Sequence, residues 1–222
     1  MQSNLFGTNL EATTSDRIKL QNPRMLRVAL DGEVMARQGA MVAYQGQVDF
    51  AYQGAGGMGK LFKKAFTGEG MSLMKVSGHG DVFFADDAME IHLVNLENDA
   101  LTVNGSNVLA FDPTLTWDIK RVKGAGLMTG GLFNTTVGGS GTVAVTSVGK
   151  PVVFDCSQQP VYADPNSTVC WSANLAPGIH SSMNMGSMLR GGSGEAVQYV
   201  FHGPGFVVVQ AYEWTALSTG AK

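Results

Sequence analysis

Charge is in short supply in this chain. Only 15% of its 222 residues are Asp, Glu, Lys or Arg, well below the usual quarter, so Ser, Thr, Asn, Gln and Gly must furnish much of the surface. With 15 basic and 18 acidic residues the net charge is −3, which supplies no overall attraction to nucleic acid or to an acidic membrane. Cysteine is nearly absent. Cys156 and Cys170 do not have the spacing of a C-x-x-C metal or redox motif, and two buried free thiols are expected rather than a disulfide. Long apolar runs are missing too: stretches such as GFVVVQAY are far too short to cross a bilayer. The opening MQSNLFGTNLEATTSDRI has no basic n-region and no apolar h-region, so no signal peptide is expected and a cytoplasmic location is the default.

What the chain has in quantity is glycine, 29 residues without the period of collagen, and 44% hydrophobic residues. That is enough for a substantial core and excludes a disordered chain. Almost nothing reads as a long helix. EIHLVNL places Ile91, Leu93 and, after a slip at Val94, Leu96 inward; GTVAVTSV does the same with Val143 and Val145. Gly, Asn-Gly and Asp-Pro punctuation separates such runs, which predicts an all-β domain with few short helices.

The punctuation recurs. FTGEGMSLMKVSGHGDVFFAD (66–86), TVGGSGTVAVTSVGKPVVFD (136–155) and RGGSGEAVQYVFHGPGFVVVQ (190–210) each read as a Gly-x-Gly turn, a strand, a second glycine turn and an apolar strand. The expected turn pairs are Gly68/Gly70 with Gly78/Gly80, Gly139/Gly141 with Gly149/Pro151, and Gly192/Gly194 with Gly203/Gly205. Ala110–Pro113 followed by Trp117 parallels Ala163–Pro165 followed by Trp171. Three units are expected, at 24–87, 88–156 and 157–214, sharing a continuous core that no one unit could bury alone. Glycine-rich inserts fall at corresponding places, among them GAGGMGKLFKK in the first unit and a Met-rich stretch over 175–190 in the third.

The succession VMARQGAMVAYQGQVDF, FTGEG, LAFDPTLTWDI and FHGPGFVVVQ resembles the altered-inheritance-of-mitochondria 24 family, found in bacteria and mitochondria, over about Met25 to Gln210. The third hairpin departs from the family, with GGSGEA where Gly-Gly-Glu-Gly is commoner. The resemblance implies three copies of a short double-stranded β-helix, or β-roll, like the tryptophan RNA-binding attenuation protein. Members of that fold pack edge to edge into rings, so a homo-oligomer is implied, and a trimer would close a ring of nine units. The family has no established enzymatic activity, and its mitochondrial relatives are linked to inner-membrane organisation.

Several constellations imitate chemistry. Gly54, Gly59 and Lys60 match the P-loop register, but position 61 is Leu, which has no hydroxyl for Mg²⁺, and only about two helical turns follow before Gly68. KLFKKAF instead sets Lys60, Lys63 and Lys64 on one side and Leu61, Phe62, Ala65 and Phe66 toward the other. It reads as a short capping helix whose Lys60, Phe62, Lys63 and Lys64 are the candidate contact to a membrane surface or a protein partner. His79, Asp81, Asp86 and Asp87 flank a strand without converging, and no His-x-His occurs, so no metal and no cofactor are expected. No G-x-S-x-G is present and no His accompanies either Cys in a known signature, so no catalytic residue is assigned. Lys75 has no basic counterpart in the other units and IKRVK occurs in the second alone, so nucleic-acid binding is not expected. Trp117, Trp171 and Trp214 read as packing aromatics. The function expected is a non-enzymatic scaffold or interaction protein. The alternative is a small-molecule-binding or cupin-like enzyme on the same β fold.

Overall fold

A computed structural model describes residues 3–12, 15–53, 72–121, 133–181 and 197–213. Among them the chain is mostly antiparallel sheet, with one short helix, α1 (Leu5–Thr8), and a 3-10 turn at Gly105–Asn107. The first strands are β1 (Ile18–Asn22), β2 (Met25–Arg37), β3 (Met41–Gln53) and β4 (Leu73–Phe84). Next come β5 (Glu90–Asn104), β6 (Val108–Phe111), β7 (Thr116–Arg121) and β8 (Phe133–Ser147). The last are β9 (Val152–Asp155), β10 (Val161–Ala163), β11 (Thr168–Ser172), β12 (Gly178–Ser181), β13 (Val197–Phe201) and β14 (Phe206–Val209). The larger sheet runs β3-β4-β2-β6-β8-β5-β11-β14-β9, with β1 on β2 and β7 on β8; a smaller one runs β10-β13-β12.

Two of the predicted glycine turns are not turns, whereas Gly149/Pro151 and Gly203/Gly205 do fall between strands, and Gly68/Gly70 and Gly192/Gly194 lie outside the described residues. Gly78 and Gly80 lie inside β4, and Gly139 and Gly141 inside β8. All four have positive φ, as do Gly203 and Gly205 between β13 and β14. In the first sheet Gly32 stands opposite Gly78 and Gly46 opposite Gly80, so a line of glycines crosses three strands. A Cβ on Gly80 would sit 1.9 Å from the carbonyl oxygen of Gln45, and one on Gly78 2.0 Å from that of Gln47. Only glycine permits this conformation at this approach. The two Asp-Pro turns do not correspond either. Asp112-Pro113 links β6 to β7, whereas Asp164-Pro165 links β10 to β11.

The line of glycines lets one face of each strand line a core from both ends. Leu26, Val28 and Leu30 precede the bend in β2, and Val34 and Ala36 follow it; all five enter the same cluster. Met74 and Val76, then Val82 and Phe84, do so from β4. Between the two runs Asp31, Gly32 and Glu33 are exposed. Each fully buried Val, Leu or Phe contributes on the order of 1.5–3 kcal/mol, so two such runs per strand outweigh the conformational cost of the glycines.

Three such cores lie in series, and the strands between them serve two cores at once. On β5, Ile91 and Leu93 face the first core while Val94 and Leu96 face the second. On β6, Leu109 and Ala110 belong to the first and Val108 and Phe111 to the second. On β14, Phe206 and Val208 pack on the second and Val207 and Val209 on the third. The slip read at Val94 is therefore a strand with two buried faces. A neutral polar network joins the later strands: Asn107 donates to the Thr146 carbonyl (2.8 Å), and the side-chain Oε1 of Gln210 accepts from the Val148 N–H (3.0 Å).

The bend gives a direct comparison. Gly39 and Gly80 both have positive φ, but a Cβ on Gly39 would meet nothing within 4 Å. Gly39→Ala is expected to cost about 1 kcal/mol of strain, and Gly80→Ala at least about 2 kcal/mol more, because main-chain atoms must also move apart. Urea unfolding of the two variants measures the difference; equal losses would remove close approach as the reason for Gly80.

Candidate interaction surface

The acidic cluster raised as a metal candidate is dispersed. Asp81 pairs with Arg27 (2.7 Å) and Asp86 with Arg37 (2.6 Å), and Arg37 also donates to the Ser106 carbonyl (2.8 Å). His79 Nδ1 meets Asp31 Oδ1 at 2.9 Å on the exposed bend. Among the described residues no three His, Cys, Asp or Glu side chains are grouped as metal ligands. Lys75, weighed as an RNA contact, pairs with Glu33 at 2.7 Å.

Both cysteines are free and buried, as the composition predicted. Burial pushes the Cys170 thiol up to about 12. Cys156 is also raised, first by burial and then by the charge of Asp155. A nucleophilic cysteine needs the opposite shift. Trp171 lies in the third core and Trp117 packs on the second, against Phe111. Trp214, Lys60, Phe62, Lys63, Lys64 and all of GAGGMGK lie outside the described residues.

One polar pair was not read from the sequence. His92 Nε2 lies 2.8 Å from Ser147 Oγ, brought there by the register of β5 against β8. It resembles a nucleophilic Ser–His dyad. Yet Ser147 donates its proton to the Gly149 carbonyl (2.7 Å), so the imidazole is left to donate to the serine oxygen instead of receiving its proton. The arrangement ties the end of β8 to the turn after it and does not activate a nucleophile.

What remains conspicuous is apolar surface at the two ends of the strand order. Tyr44 and Phe50, on β3, meet edge to face at 5.4 Å and are exposed together with Val42. Val152, Val153 and Phe154 on β9 and Tyr162 on β10 are exposed at the other end. β3 pairs with β4 alone, β9 with β14 alone and β10 with β13 alone among the described residues. Each thus presents a row of main-chain donors and acceptors beside apolar side chains, the form of an edge that takes another strand. The hydrophobic pattern of the sequence carried no sign of which strand would lack a neighbour.

A family model described as mitochondrial biogenesis AIM24 matches residues 17–212. An uncharacterised protein of Streptococcus pyogenes serotype M6, M6_Spy0233, is 29% identical over 195 residues, covering 81% of this chain and 77% of that one. The crystal structure of protein SPYM3_0169 from Streptococcus pyogenes superposes with a TM-score of 0.68 at 24% identity, covering 92% of this chain and 94% of that chain. It is similar in fold.

His92 also provides a test of the half-buried pair. Burial lowers its pKa below the ordinary 6.5, with Glu90 opposing the shift. A histidine so depressed takes its proton first in the unfolded chain, so stability is complete above about 6.5 and falls as the pH drops below that value. Thermal unfolding of the wild type and His92→Gln between pH 7.5 and 5 should show the gap between them shifting in favour of the variant as the pH falls. A gap that stays constant over that range would contradict a half-buried neutral imidazole.

Proposed function

The chain belongs to the mitochondrial biogenesis AIM24 family, and from that membership we propose that it is a non-enzymatic scaffold built of three β units that joins copies of itself through sheet edges. The observation that carries this reading is the strand order. It divides into β3-β4-β2, β6-β8-β5 and β11-β14-β9, each triplet with its latest strand in the middle. In this reading β9 is the first strand of the third unit, which moves that unit's start from 157 to about Val152. The order supports three copies of a short β-roll. The exposed apolar residues on the terminal strands, Tyr44 and Val152 to Phe154, support association between chains.

The assembly we propose is a trimer closed into a ring, acting on the cytoplasmic side. It would hold the basic segment with Lys60, Phe62, Lys63 and Lys64 in several copies toward a membrane surface or a protein partner. Three lysines and a phenylalanine bind a bilayer weakly alone, and repetition around a ring multiplies the contact.

Light scattering on the eluting protein should give three times the chain mass of 23.4 kDa; a monomer at every concentration would overturn the assembly. Vesicles containing anionic lipid should carry the assembled protein upward in a density gradient, and replacing Lys60, Lys63 and Lys64 with Gln should abolish the flotation. Wild-type protein that stays at the bottom would remove the membrane contact.

A further inference from the structure

Two seams already join the three units, and they are built alike. Met35 on β2 stands opposite Phe111 on β6, and Ala36 opposite Ala110. Thr102 on β5 stands opposite Trp171 on β11, and Val103 opposite Cys170. Each seam pairs the far half of one unit's first strand with the near half of the next unit's second strand, antiparallel. Each receiving strand carries a register shift just before the contact, between Val108 and Ala110 and between Thr168 and Cys170.

The glycine bends place a third set of positions in the same frame. Phe111 is opposite Val143 and Trp171 opposite Val207, each valine two residues beyond the second glycine of its Gly-x-Gly pair. Tyr44 is opposite Val82, two residues beyond Gly80, and β3 has its register shift at the same place, between Met41 and Ala43. On the donating side Met35 is opposite Lys75 and Thr102 opposite Thr136, each three residues before the first glycine. Tyr162 on β10 is opposite Val200, three residues before Gly203. Tyr44 therefore occupies the place of Phe111 and Trp171, and Tyr162 that of Met35 and Thr102.

Their exposures differ in one direction. Phe111 is 0% exposed and Trp171 3%, but Tyr44 is 48%. Leu109 and Val169, at the register shift, are fully buried while Val42 is half exposed. Met35 and Thr102 are buried, yet Tyr162 is 56% exposed. The two halves of a third seam thus lie at opposite ends of one chain, each made of residue positions that are buried wherever the next unit is present.

We propose that β10 of one copy pairs antiparallel with β3 of the next, Tyr162 opposite Tyr44 and Ala163 opposite Ala43, with Val42 buried in the contact. The occupant is a second copy of this chain, because the seam continues a pairing rule that the chain follows twice internally. The two surfaces differ, so association is head to tail, and closure of the rotation ends it as a ring. The pairing rests on the scaffold reading above and adds its register and polarity.

Directly opposed residues of antiparallel strands lie within disulfide reach. The double variant Tyr44→Cys with Tyr162→Cys, gently oxidised, should run as covalent dimers and trimers that collapse to monomer on reduction, while each single variant stays unlinked. Val42→Asp, at a half-exposed site that the chain's own fold tolerates, should weaken association by about thirtyfold or more, as a charge buried at an interface centre does. An assembly that light scattering shows intact but that does not link, or in which either single variant links to itself, overturns this pairing and leaves a homo-oligomer standing. A Val42→Asp assembly of unchanged affinity also overturns it. Wild-type protein that is monomeric at every concentration overturns the pairing and the scaffold reading together.

Discussion

The main chain approaches itself at the glycine line more closely than any side chain allows, and the architecture follows from that approach. With the oxygens of Gln45 and Gln47 only 1.9 and 2.0 Å from where a Cβ would stand on Gly80 and Gly78, β2, β3 and β4 bend together at one level. The same face of a long strand then lines a core from both ends, as Leu26, Val28 and Leu30 do with Val34 and Ala36 on β2. The second bent region, through Gly139 and Gly141 on β8, is met on β5 by a register shift between Leu96 and Asp99 and by Asn98 at positive φ. Short polar Asn tolerates that conformation where other residues would not.

With three cores side by side, each dividing wall serves two of them. Strands such as β6, all of whose residues are buried, have no solvent face on which to carry charge. This accounts physically for the low charge content and for the neutral amide and hydroxyl contacts of Asn107, Thr146 and Gln210 in place of ion pairs, since a buried charge costs far more than a satisfied amide. The ion pairs that do occur, such as Arg37–Asp86 and Lys75–Glu33, keep some exposure. Among the described residues the larger sheet ends at β3, with exposed Tyr44, and at β9, and the smaller sheet at β10, with exposed Tyr162.

Much of this was legible in the residues, in a particular order. Alternation and glycine punctuation read correctly as an antiparallel β protein, and the scarce, widely spaced cysteines as buried free thiols. The motif succession also pointed to the family that matches. Gly78/Gly80 and Gly139/Gly141 misled because glycine signals positive φ without saying whether the chain reverses or merely bends. The Ala-Asp-Pro parallel misled because Asp-Pro marks a turn but not which one. His92 and Ser147 escaped notice because only the register of two strands 55 residues apart joins them. The open edges left no trace in hydrophobic pattern: Tyr44 and Phe111 have the same inward parity, and only the presence or absence of a neighbouring strand separates their fates.

The central claim is that the edge at β3 and the edge at β10 are two halves of one seam. Amide hydrogen exchange on the assembled protein measures this most directly, because a paired edge is protected and an open one is not. Peptides spanning Met41–Tyr44 and Val161–Ala163 should be slow to exchange in the assembly and become fast together in Val42→Asp, while a peptide from the internal seam around Ala110 and Phe111 stays slow in both. Fast exchange at either edge in the intact assembly, or loss of protection at one without the other, would contradict it.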